Sequence, residues 1–161
     1  MRKRSKYKPK GVRLDTVTWI VNGFRRAADA GNGTIITNTR LKNHSSLEAL
    51  RTGTADRDDL DVLISAFNVT EALCIMKIGD EYRGEINAAQ NAIYNLGVRA
   101  VERGKFLATG SELVAINTAM ELHDAQLDVC TVSELEQALD YVWKQIAHKR
   151  VRVIPTKKVE A

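Results

Sequence analysis

The stretch Thr54-Ala-Asp-Arg-Asp-Asp-Leu-Asp-Val-Leu-Ile-Ser-Ala-Phe-Asn-Val-Thr-Glu-Ala-Leu-Cys-Ile-Met-Lys-Ile78 decides the fold. Asp56, Asp58 and Asp59 stand in its first turn, where the helix dipole favours negative charge. Leu60, Leu63, Ile64, Phe67, Cys74 and Ile78 then recur at helical spacing and give a broad apolar face. The pattern predicts a long amphipathic helix closed by Gly79. Val62 to Ile78 is the longest apolar region of the chain, yet it holds Ser65, Asn68, Glu71 and Lys77 and so does not read as a membrane span.

Outward from this helix the chain stays permissive for more of them. Its two prolines, Pro9 and Pro155, leave 145 consecutive residues without a helix breaker. Downstream, Tyr82, Ile86, Ala89, Ile93, Leu96 and Ala100 alternate spacings of four and three, a seam suited to a near-antiparallel partner helix. Ala88, Ala92 and Gly97 keep the neighbouring face small. Two capping boxes, Thr109-x-x-Glu112 and Thr131-x-x-Glu134, start two further helices. Leu113, Ile116, Met120 and Leu127 line the first; Val132, Leu135, Leu139, Val142 and Ile146 line the second.

Upstream, Asp15 or Thr16 caps a helix through Val17, Ile20, Val21, Phe24 and Ala28, stopped at Gly31-Asn-Gly33. The β-branched run Thr34-Ile-Ile-Thr37 and the tail Val151-Arg-Val-Ile154 read as short extended pieces able to pair, and Ser45 or Ser46 starts a brief helix through Leu50, closed by Gly53. The expectation is an all-α bundle of four main helices plus a short one, spanning residues 14–148, with basic extended arms at 1–13 and 149–161.

At 161 residues the chain has the length of one domain with a core of its own, and 44 % hydrophobic with 27 % charged residues argues against disorder or collagen. Its net +4 divides sharply: +7 over 1–13, −8 over 14–143 and +5 over 144–161. Cationic arms of this kind bind phosphate-rich partners or an acidic neighbour, including a second copy of the chain. Cys74 and Cys130 lie in apolar helical patterns without CxxC or CxxH spacing, which predicts buried free thiols in a reducing cytoplasm. The basic start is not read as a secretory signal, because Asp15 and Asn22 break the apolar stretch that follows.

No catalytic motif is complete. Gly31-Asn-Gly33 and Thr109-Gly-Ser111 lack the lysine of a P-loop and the third glycine of a dinucleotide fingerprint. The acids Asp56, Asp58, Asp59 and Asp61 lack the glycine and glutamate of a calcium loop. In Glu121-Leu-His123-Asp124, positions 119, 120, 126 and 127 carry no second metal ligand, and His123 continues an apolar stripe, so it reads as a structural histidine. His44 reads as a loop side chain beside a helix start, where either Ser45 or Ser46 is simply the N-cap or the free amides bind an anion. Trp19 and Trp143, offset from their stripes, read as core or subunit interface. An enzymatic function would require His44 or His123 to meet carboxylates from elsewhere in the fold.

The segments 1–12 with its Lys-Tyr-Lys-Pro-Lys core, Leu47-Glu-Ala-Leu-Arg-Thr-Gly-Thr-Ala-Asp-Arg-Asp-Asp and Met120-Glu-Leu-His-Asp-Ala-Gln-Leu-Asp together resemble short, functionally unassigned proteins of tailed bacteriophages and prophages of proteobacteria. The resemblance implies a phage accessory protein in the bacterial cytoplasm and carries over no active site. Such proteins include sponges for nucleotide immune signals, inhibitors of host proteins and nucleic-acid-binding factors. The resulting expectation is a non-enzymatic homo-oligomer that captures a nucleotide or other phosphate-bearing ligand, without metal or cofactor and without a membrane. Its contacts would be Arg2, Lys3, Arg4, Lys6, Lys8, Arg13 and Arg150, with Tyr7 stacking and His44 and Ser45 as polar partners. The alternative is a DNA- or RNA-binding protein using the same arms.

Overall fold

A computed structural model describes residues 25–27 and 34–155. It is all-α: α1 (Thr34–Thr52), α2 (Arg57–Ile75), a 3-10 turn (Asp80–Tyr82), α3 (Arg83–Arg103), α4 (Gly110–Val129) and α5 (Val132–Ala147). No strand occurs among the described residues, only isolated bridges joining Arg26 to Thr131 and Ala55 to Phe106. None of the described helices is long and apolar enough to cross a membrane.

The central helix is α2, which touches each of the other four. Asp56 caps it, accepting the Asp59 amide at 3.0 Å while the Asp59 carboxylate accepts the Asp56 amide at 3.1 Å. Leu60, Leu63, Phe67 and Leu73 are fully enclosed, each contributing about 1.5–3 kcal/mol by leaving water. The α3 seam is buried at Ile86, Ala89, Ile93, Leu96 and Ala100, while Tyr82 at its edge is exposed. α3 packs most extensively on α4, and the six-residue link between them makes the two antiparallel neighbours.

Both threonine capping boxes form as the sequence predicts. At the first, Arg99 of α3 also grips Glu112 with two hydrogen bonds of 2.7 and 2.9 Å. Burial alone would raise the Glu112 carboxyl, but Arg99 and the Thr109 amide and hydroxyl outweigh it and hold the group below the usual carboxylate range.

The region before Gly53 differs from expectation. Thr34-Ile-Ile-Thr37 is the first turn of a continuous 19-residue helix, not an extended piece, and Ser45 lies in its middle, not at a helix start. β-branched composition is a weak local preference, and here the packing of Ile36 against Ala27, Val69 and Leu73 outweighs it. Asn43 and Ser46 on the buried face interrupt the apolar stripe that would have announced this helix. Residues 14–24 of the candidate first helix lie outside the described residues. Arg25–Ala27, at its end, pair instead with the α4–α5 junction: the Ala27 amide donates to the Cys130 carbonyl at 2.9 Å and the Val132 amide to the Arg25 carbonyl at 2.8 Å. The tail 151–154 has no strand partner among the described residues, and Ile154 enters the core.

Candidate functional site

Three helices and the tail enclose a groove of about 390 Å³. Its construction starts at the end of α5. The His148, Lys149 and Arg150 amides donate to the carbonyls of Lys144, Ile146 and Gln145 at 2.9–3.0 Å, and Lys149 takes the left-handed conformation, φ 54°. The chain thereby reverses and runs back beside α2 and α3. Ile154 anchors this return. It fits because Gly97 has no side chain: a Cβ there would stand 2.5 Å from Ile154 Cδ1 and 3.0 Å from Leu60 Cδ2.

Apolar side chains of Ile64, Phe67, Ile93 and Ile154 line the groove together with two tyrosines, Tyr94 of α3 and Tyr141 of α5. Arg150 and Arg152 come from the returning tail. Arg152 donates to Asn91 Oδ1 at 2.7 Å and places its guanidinium 4.9 Å from the Tyr94 ring centre, a cation–π contact that fixes its position. Neither arginine forms an ion pair among the described residues. The remaining polar lining is carboxamide and carboxylate: Asn68 and Glu71 of α2, Asn87 and Gln90 of α3, Gln145 of α5. Gln90 Nε2 donates to Glu71 Oε2 at 2.9 Å and to Asn68 Oδ1 at 3.4 Å. The groove offers guanidinium charge, hydrogen-bonding groups and flat apolar surface.

Of the residues the sequence singles out, Arg150 lies in this groove. Arg2, Lys3, Arg4, Lys6, Tyr7, Lys8 and Arg13 lie outside the described residues. His44 and Ser45 belong to another face. His44 stands within α1 and its Nε2 meets Asp124 Oδ2 at 2.7 Å, while Arg40 donates to the Asp124 carbonyl and to Asp128 Oδ1, each at 2.7 Å, so these four residues tie α1 to α4. Ser45 is exposed in mid-helix with no free amides beside it, which removes the anion site expected there. Ser46 instead bonds Asp59 at 2.8 Å.

His123 is buried in the core. The Thr70 hydroxyl stands 3.0 Å from the Ala66 carbonyl and 2.8 Å from His123 Nδ1, two contacts that are both satisfied when the imidazole carries its proton on Nδ1. Burial pushes its pKa down to about 4, with Asp124 opposing and Arg40 and His44 assisting. Cys74 and Cys130 are buried free thiols. Burial raises both, Cys130 to about 11, so neither is a thiolate at neutral pH. Trp143 is 67 % exposed and not core; Trp19 lies outside the described residues. Among the described residues no three His, Cys, Asp or Glu side chains group as metal ligands.

The groove residues absent from the sequence reading share one signal. Asn68 and Glu71, then Asn87, Gln90 and Tyr94, sit at helical spacing on the polar sides of α2 and α3. Amides on two such faces become a site only when the helices are known to adjoin. Comparison with protein-family models, with curated proteins and with solved structures finds no match for this chain.

Proposed function

We propose that this chain is a non-enzymatic binding protein that takes a small phosphate-bearing ligand into the groove between α2, α3, α5 and the returning tail. The observation that carries the reading is the pair Arg150 and Arg152, without a carboxylate partner among the described residues, at a groove with two tyrosines. Two guanidiniums suit phosphate oxygens, and a volume near 390 Å³ suits one small molecule. The cations of residues 1–13 add long-range attraction for an anion. With the resemblance to phage accessory proteins, the reading becomes sequestration of a nucleotide signal of host defence.

Isothermal titration with AMP tests it. Arg150→Ala/Arg152→Ala should weaken binding at least tenfold, about 1.4 kcal/mol. The same titration with a single-stranded oligonucleotide addresses the alternative. Polymer binding falls steeply with salt in proportion to the phosphates neutralised, whereas binding of one nucleotide falls little. Oligonucleotide binding with a steep slope, and none of AMP, would transfer the function to nucleic acid.

A further inference from the structure

We infer that the groove reads a nucleobase through its amino group, with Glu71 as the specificity-determining residue. The inference rests on the ligand reading above and names the ligand class as a nucleoside monophosphate with an exocyclic amine. The groove is bipolar. Its tail side brings Arg150 and Arg152, while its α2–α3 side brings a carboxylate that has no cationic partner among the described residues. Gln90 Nε2 donates to one oxygen of Glu71 and to Asn68 Oδ1, so its own amide protons are spent within the protein, while the carboxamides of Asn68, Asn87 and Gln145 can both donate and accept. Acceptors remain: the other Glu71 oxygen, the second lone pair of Asn68 Oδ1 and the Gln90 carbonyl oxygen.

Glu71 is the one group on this wall that can only accept, so it selects a ligand group that donates. The amino groups of adenine, cytosine and guanine do so, and a carboxylate accepting from a cytosine amine is an established pairing chemistry. Uracil presents a carbonyl oxygen where cytosine has its amine, and that oxygen would face the Glu71 carboxylate with no proton between them. The tyrosine faces favour a flat ring over a flexible amine, with Tyr141 more than a third exposed and Tyr94 already covered on one face by Arg152.

CMP and UMP give the sharpest test because they share ribose and phosphate. The intact protein should bind CMP at least tenfold more tightly than UMP in calorimetric titration. Glu71→Gln, whose amide both donates and accepts, should reduce that ratio to within about twofold while leaving the melting temperature close to that of the parent. Equal affinity for CMP and UMP overturns the inference but leaves the phosphate reading standing, as does phosphoethanolamine binding as tightly as CMP. A preference for CMP that survives in Glu71→Gln also overturns it. Failure of CMP, UMP and AMP alike removes both readings.

Discussion

The helices α2 and α5 carry the same signal in the sequence and meet different fates in the fold. Each has an apolar stripe at helical spacing and a capping box at its start. Yet α2 buries nine residues and α5 only Ala138. Leu139 and Ile146, on the predicted stripe of α5, remain 42 % and 43 % exposed. The cause is position. α2 is in contact with all four other helices, whereas α5 rests chiefly on α2 at the edge of the bundle. A stripe states what a helix can bury; the surrounding elements decide how much is buried.

Large-to-small substitutions should reproduce this contrast most strongly. Phe67→Ala leaves a cavity among fully enclosed neighbours and should cost about 3–5 kcal/mol in urea unfolding. Leu139→Ala, on the open side of α5, should cost less than about 1 kcal/mol. Similar losses at the two positions would break the comparison.

Acid should act through the α2–α4 interior next. His123 is neutral in the folded protein down to about pH 4, whereas its unfolded form takes a proton near pH 6.5. Its contribution is therefore complete above pH 6.5 and is lost as pH falls toward 4, by roughly 3 kcal/mol. Unfolding measured across that interval should show the loss, and His123→Gln, which can still donate to Thr70, should flatten it. α5 offers no buried titratable group to match.

The ends of the two helices should behave alike even though their faces do not. Asp56→Ala and Thr131→Ala each remove one side-chain acceptor for a first-turn amide and should each cost about 1 kcal/mol. Thermal melts of the two variants check this, and a much larger loss for Asp56 would mean that the cap serves the core packing of α2 as well.

These elements also show what the sequence makes legible. Capping boxes are local chemistry, three residues apart, and Thr109 and Thr131 both start helices where read. The α3 seam and the buried thiols are local in the same sense. α1 escaped because Asn43 and Ser46 occupy its inner face; Ser46 finds its partner in Asp59 of another helix. The groove escaped for a similar reason. Arg150 stands out as part of a basic run, but its setting depends on a left-handed Lys149 and on the gap that Gly97 leaves for Ile154, two features that meet only in three dimensions.

The smallest expected effect on stability belongs to Trp143, and it bears on what meets the open side of α5. Trp143, Leu139 and Ile146 follow one another at helical spacing on that side, with Val132 in register at the start of the helix. Around the strip, Glu134, Glu136 and Asp140 make the first part of α5 acidic, and Lys144 and the following Lys149 make its end basic. Two copies laid antiparallel about a twofold axis perpendicular to α5 would bring each acidic half against the other's basic half while covering both strips. Homo-oligomerisation is therefore the expected behaviour, with this strip as its contact. Trp143→Glu should leave urea unfolding of the dissociated chain within about 0.5 kcal/mol of the parent, because the side chain is already in water. In sedimentation equilibrium at tens of micromolar the parent should exceed the 17.9 kDa of one chain and the variant should return to it. A parent that sediments as one chain removes self-association and leaves α5 as a helix whose stripe is only half used. A variant that unfolds much more easily while remaining a single species would instead place Trp143 inside the fold, and the contrast with α2 would vanish.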